Sequence, residues 1–207
     1  MFALVESGSI TKILKGNKGI TIGDNQYPAS FFTSVYSEAE RNAVGVYTVE
    51  ADNTNYKDTQ WYINTNQSFD YDSSADKVKA TYGTATGKAI ADTLYTETDK
   101  SNGDIPTGKD VGDVRDEGLK TIKKRMIDNQ CAGILKDSDW MYIKAGEEGG
   151  TMDSGWKTWR ASVRTKCNSM QTQIDNAADT AALETLFTYT TTDGVTSRPL
   201  GEFPVKE

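Results

Sequence analysis

One stripe of apolar side chains constrains the fold of this 207-residue chain more than any other feature of its sequence. The stripe begins near Ser154, and its members are separated by 3, 4, 4, 3 and 4 positions: Trp156, Trp159, Val163, Cys167, Met170 and Ile174. This heptad spacing predicts an α-helix of about five turns with one apolar face. The face must be covered, either by another helix of the same chain or by another subunit.

A second helical pattern lies between Asp113 and Trp140, ahead of the stripe. Acidic residues occupy its first turns and basic residues follow, as the helix dipole favours. Its apolar side is formed by Val114, Gly118, Leu119, Ile122, Met126, Ile134 and Leu135. The two patterns, joined by the turn GEEGGTMDSG, predict a helical hairpin, and a further short helix is predicted over 179–187.

Residues 1–83 follow the alternation and turn spacing of β-strands instead. Ser37 and Glu40 form a capping box for one short helix. Residues 60–64 and 68–72 flank a three-residue loop and predict a hairpin, which residues 77–82 extend into a meander. The sequence therefore predicts an α+β fold, with an N-terminal antiparallel β-meander region followed by a C-terminal helical hairpin.

Changes of composition predict four segments: a β-rich domain over 1–95, an exposed connector over 96–112, a helical domain over 113–190 and an extended tail over 191–207. Ordering a polar tail costs on the order of 1–2 kcal/mol per residue in backbone entropy. We therefore expect the tail to become ordered only on another surface. Its apolar anchors Pro199, Leu200 and Phe203 are expected to dock onto a neighbouring subunit or fibre.

Three of the four tryptophans lie around the turn of the predicted hairpin, and three interpretations of them remain open. We expect Trp140, Trp156 and Trp159 to form a buried cluster, but they can also form a ligand site or begin a subunit seam. An aromatic row in the predicted meander can pack in the core or on another subunit, or can stack on sugars: Trp61, Tyr62, Phe69 and Tyr71. The candidate interface residues are Trp61, Phe69, Tyr71, Trp156, Trp159, Leu200 and Phe203.

The composition excludes several classes of chemistry. The chain has no His, so neither a Ser-His-Asp nor a Cys-His arrangement can form within it. Cys131 and Cys167 are expected to be reduced, half-buried thiols. Because the net charge is −7 and no run of Lys or Arg offers a phosphate-binding stripe, nucleic acid is not an expected partner. No apolar run approaches the ~20 residues that cross a membrane, so membrane insertion is not expected, and the N-terminus lacks a signal-peptide pattern.

Two local motifs approach known ligand-binding loops but miss required residues. Residues 83–89, GTATGKA, are one residue short of a phosphate loop, and Ala89 stands where Ser or Thr would hold magnesium. Residues 70–81 begin with the ligand spacing of a calcium loop, but Ala75 replaces the glycine and Thr81 the bidentate glutamate. We therefore expect no enzymatic activity, no catalytic residue, no cofactor and no metal site.

Five phrases spread over nearly the whole chain resemble small tail proteins of tailed bacteriophages, many of them from marine hosts: MFALVESGSITKILKG, DNTNYKDTQWYINTNQSF, GDVRDEGLKTIKKR, DWMYIKAGEEG and RASVRTKCNSMQTQI. The C-terminal third is also similar to the tail fibre assembly protein family, through the phrase Trp156-Lys157-Thr158-Trp159-Arg160. Two positions depart from the common phrases, since Met141 stands in place of Tyr and Phe203-Pro204 in place of Trp-Pro.

The resemblance implies a non-enzymatic structural component of a phage tail, at the baseplate or a tail fibre, that acts through protein–protein contacts. The alternatives are a tail fibre assembly chaperone and a host-surface glycan-binding module. The implied partners are other tail proteins and further copies of this chain in a symmetric multi-copy assembly, with a host surface glycan as another candidate. The implied localisation is the virion tail, after synthesis in the host cytoplasm.

Overall fold

A computed structural model describes residues 1–206 and divides the chain into two compact units, Met1–Thr86 and Gly87–Glu207. Strands dominate the first unit, and the long helices lie in the second. The predicted α+β class, with a β-rich region followed by helices, is confirmed.

The first unit is built around a five-stranded sheet, whose strands in spatial order are Ser9–Leu14 (β2), Phe2–Glu6 (β1), Val46–Asp52 (β5), Lys77–Tyr82 (β8) and Gln67–Asp72 (β7). Ser37 and Glu40 form the predicted capping box, because each accepts a hydrogen bond from the other's backbone N–H. The elements are β1 (Phe2–Glu6), β2 (Ser9–Leu14), β3 (Ile20–Ile22), β4 (Asn25–Tyr27), a 3₁₀ helix (Ala29–Phe32), α1 (Glu38–Asn42), β5 (Val46–Asp52), β6 (Tyr62–Ile63), β7 (Gln67–Asp72) and β8 (Lys77–Tyr82), with β9 (Thr86–Gly87) at the border of the units.

The sheet departs from the predicted meander in two places. β5 and β8 pair in parallel, which the prediction of an antiparallel meander missed because residues 53–76 form a long crossover rather than a turn. The predicted hairpin of 60–64 with 68–72 is wrong, since β6 lies outside the five-stranded sheet. Asn64 instead closes a local loop, in which its side chain accepts from Lys57 N at 2.9 Å and donates to Lys57 O at 2.8 Å.

The five-stranded sheet buries side chains on both of its faces, because successive residues of a strand point in opposite directions. Leu4 belongs to one buried cluster, and its neighbours Ala3 and Val5 belong to the other. The first cluster is completed by Leu14, Phe31, Phe32 and Val46, and the second by Tyr47 and Val78. The first unit therefore has its own core.

The second unit contains the predicted helical hairpin and several short elements. These are β10 (Thr93–Leu94), α2 (Glu97–Asn102), β11 (Val114–Asp116), α3 (Leu119–Lys136), α4 (Asp139–Glu147), α5 (Ser154–Asn176), α6 (Thr180–Phe187), β12 (Thr190–Thr192) and β13 (Val195–Ser197). Within residues 1–206, none of the helices has the length and apolar content that crossing a membrane requires.

The heptad stripe is covered within the chain over most of its length. Val163, Met170 and Ile174 on α5 are fully buried, and α5 packs against α3, where Ile127 is fully buried as well. A long helix was predicted to begin at Asp113, but β11 occupies this stretch and α3 begins only at Leu119.

The start of α3 is fixed by a carboxylate from outside the helix. Asp92 accepts hydrogen bonds from Gly118 N at 2.7 Å and from Thr121 Oγ1 at 2.9 Å. The Gly118 bond, followed by the Thr121 bond, holds the pKa of Asp92 below its ordinary value. A side chain at Gly118 would collide with the backbone of Ala91, which explains why glycine precedes this helix.

The segment predicted to be an exposed connector has no buried residue but contains regular structure, and the segment predicted to be an extended tail is folded. The connector contains α2, which Thr96 and Asp99 cap reciprocally and which ends at Gly103 in the left-handed conformation. In the tail, β12 and β13 form a hairpin around Asp193 and Gly194, both with positive φ. Leu200 is fully buried within its own unit, so it is not free to dock on a neighbour as predicted.

Cys131 and Cys167 are free thiols, and both are buried in the α3–α5 contact. Burial, followed by the contact with Cys131, raises the pKa of Cys167 to about 12. We expect Cys167 in a Cys131→Ser variant at about pH 8 to react with iodoacetamide on the order of a hundredfold or more slowly in the folded chain than in concentrated urea, because the thiolate is the reactive form. Rates within about threefold of each other would contradict this burial.

Candidate functional site

The corner between α3 and α4 is held by one buried arginine from α5. Arg160 donates through Nη1 to Leu135 O at 2.7 Å, and the same nitrogen donates to Ser138 Oγ. Its Nη2 donates to Asp139 Oδ1 at 2.6 Å. The guanidinium therefore ties the end of α3 to the start of α4, and its fork of donors suits this task better than a lysine would.

The first turns of α5 hold the C-terminal segment of the chain. Trp159 Nε1 donates to Pro204 O at 3.0 Å, and the indole of Trp156 meets that of Trp159 edge-on, with ring centroids 5.5 Å apart. The ammonium of Lys206 lies 5.4 Å from the centroid of the Trp156 ring. Both indoles are half-buried, so this part of the stripe is covered by the chain's own C-terminal residues rather than by α3 alone.

Helix α4 leaves three large side chains uncovered by its own unit. Trp140, Tyr142 and Ile143 are 56%, 64% and 61% exposed, and no residue of α4 is buried. The prediction of a buried cluster of all three tryptophans is therefore wrong, since Trp140 is exposed and Trp156 and Trp159 are only half-buried. The chain leaves the line of α3 at Asp137 and Ser138 and begins a separate helix, so Trp140 does not continue the apolar side of α3.

A shallow groove separates α4 from the start of α5. It encloses about 290 Å³, and Trp140, Met141, Met152 and Trp156 contribute its apolar lining. Asp153 lies at its edge and caps α5 by accepting hydrogen bonds from Gly155 N at 2.9 Å and Trp156 N at 3.2 Å. The groove connects Trp140 on α4 to Trp156 at the start of α5.

The other candidate interface residues are less accessible than the sequence predicts. Trp61 and Tyr62 are buried, which removes them from any sugar-stacking surface. Phe69 and Phe203 are half-buried. Tyr71 is also half-buried, and its hydroxyl bonds to Tyr47 at 3.3 Å and Asp76 at 2.7 Å. These bonds, the one to Tyr47 first, raise the pKa of Tyr71.

Sequence reasoning missed Tyr142 and Ile143, which the structure places beside Trp140 on the same short helix. The sequence did contain an indication of this site, because the apolar run over residues 140–143 continues neither the stripe of α5 nor the apolar side of α3. The exposed side chains at this site are aromatic and aliphatic, which suits contact with another protein. In residues 1–206 no group of three or more Cys, Asp or Glu side chains is placed to hold a metal ion.

Comparison of the chain with protein-family models, curated proteins and solved structures found no match.

Proposed function

We propose that this chain is a non-enzymatic structural component of a bacteriophage tail, at the baseplate or a tail fibre, and that the exposed side chains of Trp140, Tyr142 and Ile143 on α4 dock it onto another tail protein. The observation that carries the proposal is the exposure of these three side chains on one helix without a buried residue. The sequence phrases that resemble phage tail proteins supply the class of partner.

Covering the exposed side chains of α4 with a partner protein is energetically favourable. A short helix without a buried face gains little from its own unit, and isolated helices of this length are marginal in water. Covering a large apolar side chain contributes roughly 1.5–3 kcal/mol. Tryptophan and tyrosine are also enriched among the residues that dominate binding energy at protein interfaces.

The position of α4 is fixed before any partner arrives. Arg160 bonds to Leu135, Ser138 and Asp139 at the base of this helix and is itself buried. A partner therefore meets a preformed surface and does not have to order the corner, which reduces the entropic cost of association.

The test is incorporation of a Trp140→Ser, Tyr142→Ser, Ile143→Ser variant into phage particles. We expect the variant to fold as the parent does, because the three side chains are exposed, and its copy number in purified particles to fall by about tenfold or more, since a loss of about 1.4 kcal/mol in docking already gives this factor. Quantitative mass spectrometry of purified particles measures the change.

A matched control replaces three exposed apolar residues elsewhere, Val35→Ser, Leu94→Ser and Val195→Ser. This variant should be incorporated at the parental level. Parental incorporation of the α4 variant would overturn the docking assignment. Finding the parent chain in infected-cell lysate but not in purified particles would contradict the structural role and favour the assembly chaperone.

A further inference from the structure

A cationic concavity lies on the first unit, and the proposed tail function does not use it. The end of β2, the loop over residues 15–19 and the start of β3 enclose about 640 Å³. Lys12, Lys15 and Lys18 line this space together with Asn17 and Thr21. We refer to it as the lysine concavity.

The three lysines of the concavity are not paired with carboxylates in the described part of the chain. In the part of the chain that the structure describes, neither Lys12, Lys15 nor Lys18 forms an ion pair, and no carboxylate lines the concavity. The whole chain carries a net charge of −7, so this is a local inversion of its charge. Like charges held in one concavity repel, and a bound anion relieves that repulsion.

The loop adds backbone donors to the lysines. Across residues 1–206, the N–H groups of Gly16, Asn17 and Lys18 find no protein acceptor. Gly16 has φ +73°, a left-handed conformation that lets the chain bend sharply between Lys15 and Asn17. Successive free N–H groups around such a bend form an anion-binding concavity.

Close packing at both ends holds the loop in this conformation. A Cβ on Gly16 would lie 2.8 Å from the ring of Phe2 and 3.2 Å from Phe32 Cβ, and both aromatic rings pack in the core. A Cβ on Gly19 would lie 2.6 Å from Tyr27 O. Because the loop touches the core at Gly16 and β4 at Gly19, its donors are arranged before a ligand arrives.

We propose that the lysine concavity binds a soluble anion that carries two or more phosphate groups. Phosphate oxygens accept several hydrogen bonds at once, and bonds between an ammonium group and an oxyanion are among the strong ones. A space of about 640 Å³ is larger than one phosphate group requires and falls within the range of small-molecule sites. The three lysines and the loop N–H groups then share the phosphate groups of one ligand.

The test is a titration of the full chain with sodium tripolyphosphate, followed by the amide NMR signals of a ¹⁵N-labelled sample. We expect the signals of Gly16, Asn17 and Lys18 to shift in a saturable manner. The variant Lys12→Gln, Lys15→Gln, Lys18→Gln should bind about tenfold or more weakly. Added NaCl should weaken binding to the parent, because salt screens exposed charges.

The matched control is Lys109→Gln, Lys136→Gln, Lys157→Gln, which removes the same charge from three exposed lysines without an ion pair in residues 1–206. It should retain the parental affinity for tripolyphosphate. Equal losses in the two variants would overturn the proposal, since net charge alone would then explain binding. Unshifted signals of Gly16–Lys18 at saturating tripolyphosphate would overturn it as well. Binding to phosphatidic acid vesicles without binding to tripolyphosphate would show that the concavity recognises a membrane surface, and would overturn the proposal of a soluble ligand.

Discussion

Replacing Leu200 with alanine is expected to lower the free energy of unfolding of the second unit by about 2–5 kcal/mol, the usual cost of deleting a fully buried leucine side chain. Leu200 has no exposed surface. Its N–H donates to Leu186 O at 3.1 Å, and its carbonyl accepts from Lys166 Nζ at 2.8 Å, so the backbone around it is fixed as well. Urea denaturation of the full chain, followed by tryptophan fluorescence, measures the effect, because Trp140, Trp156 and Trp159 lie in this unit.

The control is Leu94→Ala, the same truncation at an exposed position of the same unit, which should cost less than about 1 kcal/mol. Equal midpoints for Leu200→Ala and the parent chain would contradict the packing of the C-terminal segment. The same argument applies to the removal of residues 191–207. Their deletion takes Leu200 and the acceptor of the Trp159 indole away from the second unit, so it should destabilise the fold and not only the docking.

The long helices could be predicted from the sequence because their signal is periodic and local. Val163, Met170 and Ile174 recur along one face over several turns, and an apolar repeat with this spacing indicates a helix face that is buried against another element. The apolar side of the partner helix was predicted less well, because it included Ile122, which is exposed, and left out Ile127 and Cys131, which are buried. The α+β class followed from these helices and from the alternating residues before them.

The parts that failed depend on contacts between residues far apart in the sequence. β5 and β8 pair in parallel although residues 53–76, which contain β6 and β7, separate them in the sequence. The hairpin of β12 and β13 is different, because Asp193-Gly194 between two short Thr- and Val-containing runs is a strong local signal for a two-residue turn. It was missed because the polar composition of the segment favoured a disordered tail.

The candidate site was only partly accessible to sequence reasoning. Trp156 and Trp159 lie on the periodic stripe, and the structure brings them together as predicted. Trp140 is exposed because the chain changes direction at Asp137 and Ser138, and that change depends on Arg160, more than 20 positions away. The sequence alone does not distinguish a buried arginine of an amphipathic helix from a solvated one, since both positions are compatible with the helical repeat.

Replacing Arg160 with alanine is expected to lower the free energy of unfolding by about 2–4 kcal/mol. The change removes the charged donor of Leu135 O and of the buried Ser138 Oγ, and a hydrogen bond to a charged group contributes roughly 1.5–3 kcal/mol. Ser138 Oγ and Leu135 O keep their mutual hydrogen bond at 2.9 Å, so neither is left without a partner. The ion pair itself contributes the smaller part, because the side chain of Asp139 is about half exposed and solvent screens it. Urea denaturation measures the loss, and amide hydrogen exchange in α4 should rise with it, because Arg160 fixes the base of that helix.

Two further variants separate the anchoring of α4 from the mere loss of a charge. Arg164→Ala removes an exposed guanidinium one turn further along α5 and should change stability by less than about 0.5 kcal/mol. Asp139→Asn keeps the hydrogen bonds from Arg160 to the neutral acceptors Leu135 O and Ser138 Oγ. It should therefore lower the free energy of unfolding by less than Arg160→Ala. Arg160→Ala with parental stability and unchanged exchange in α4 would show that the corner forms without its arginine. The rigid presentation of Trp140, Tyr142 and Ile143 would then need another cause, because no residue of α4 is buried to fix it.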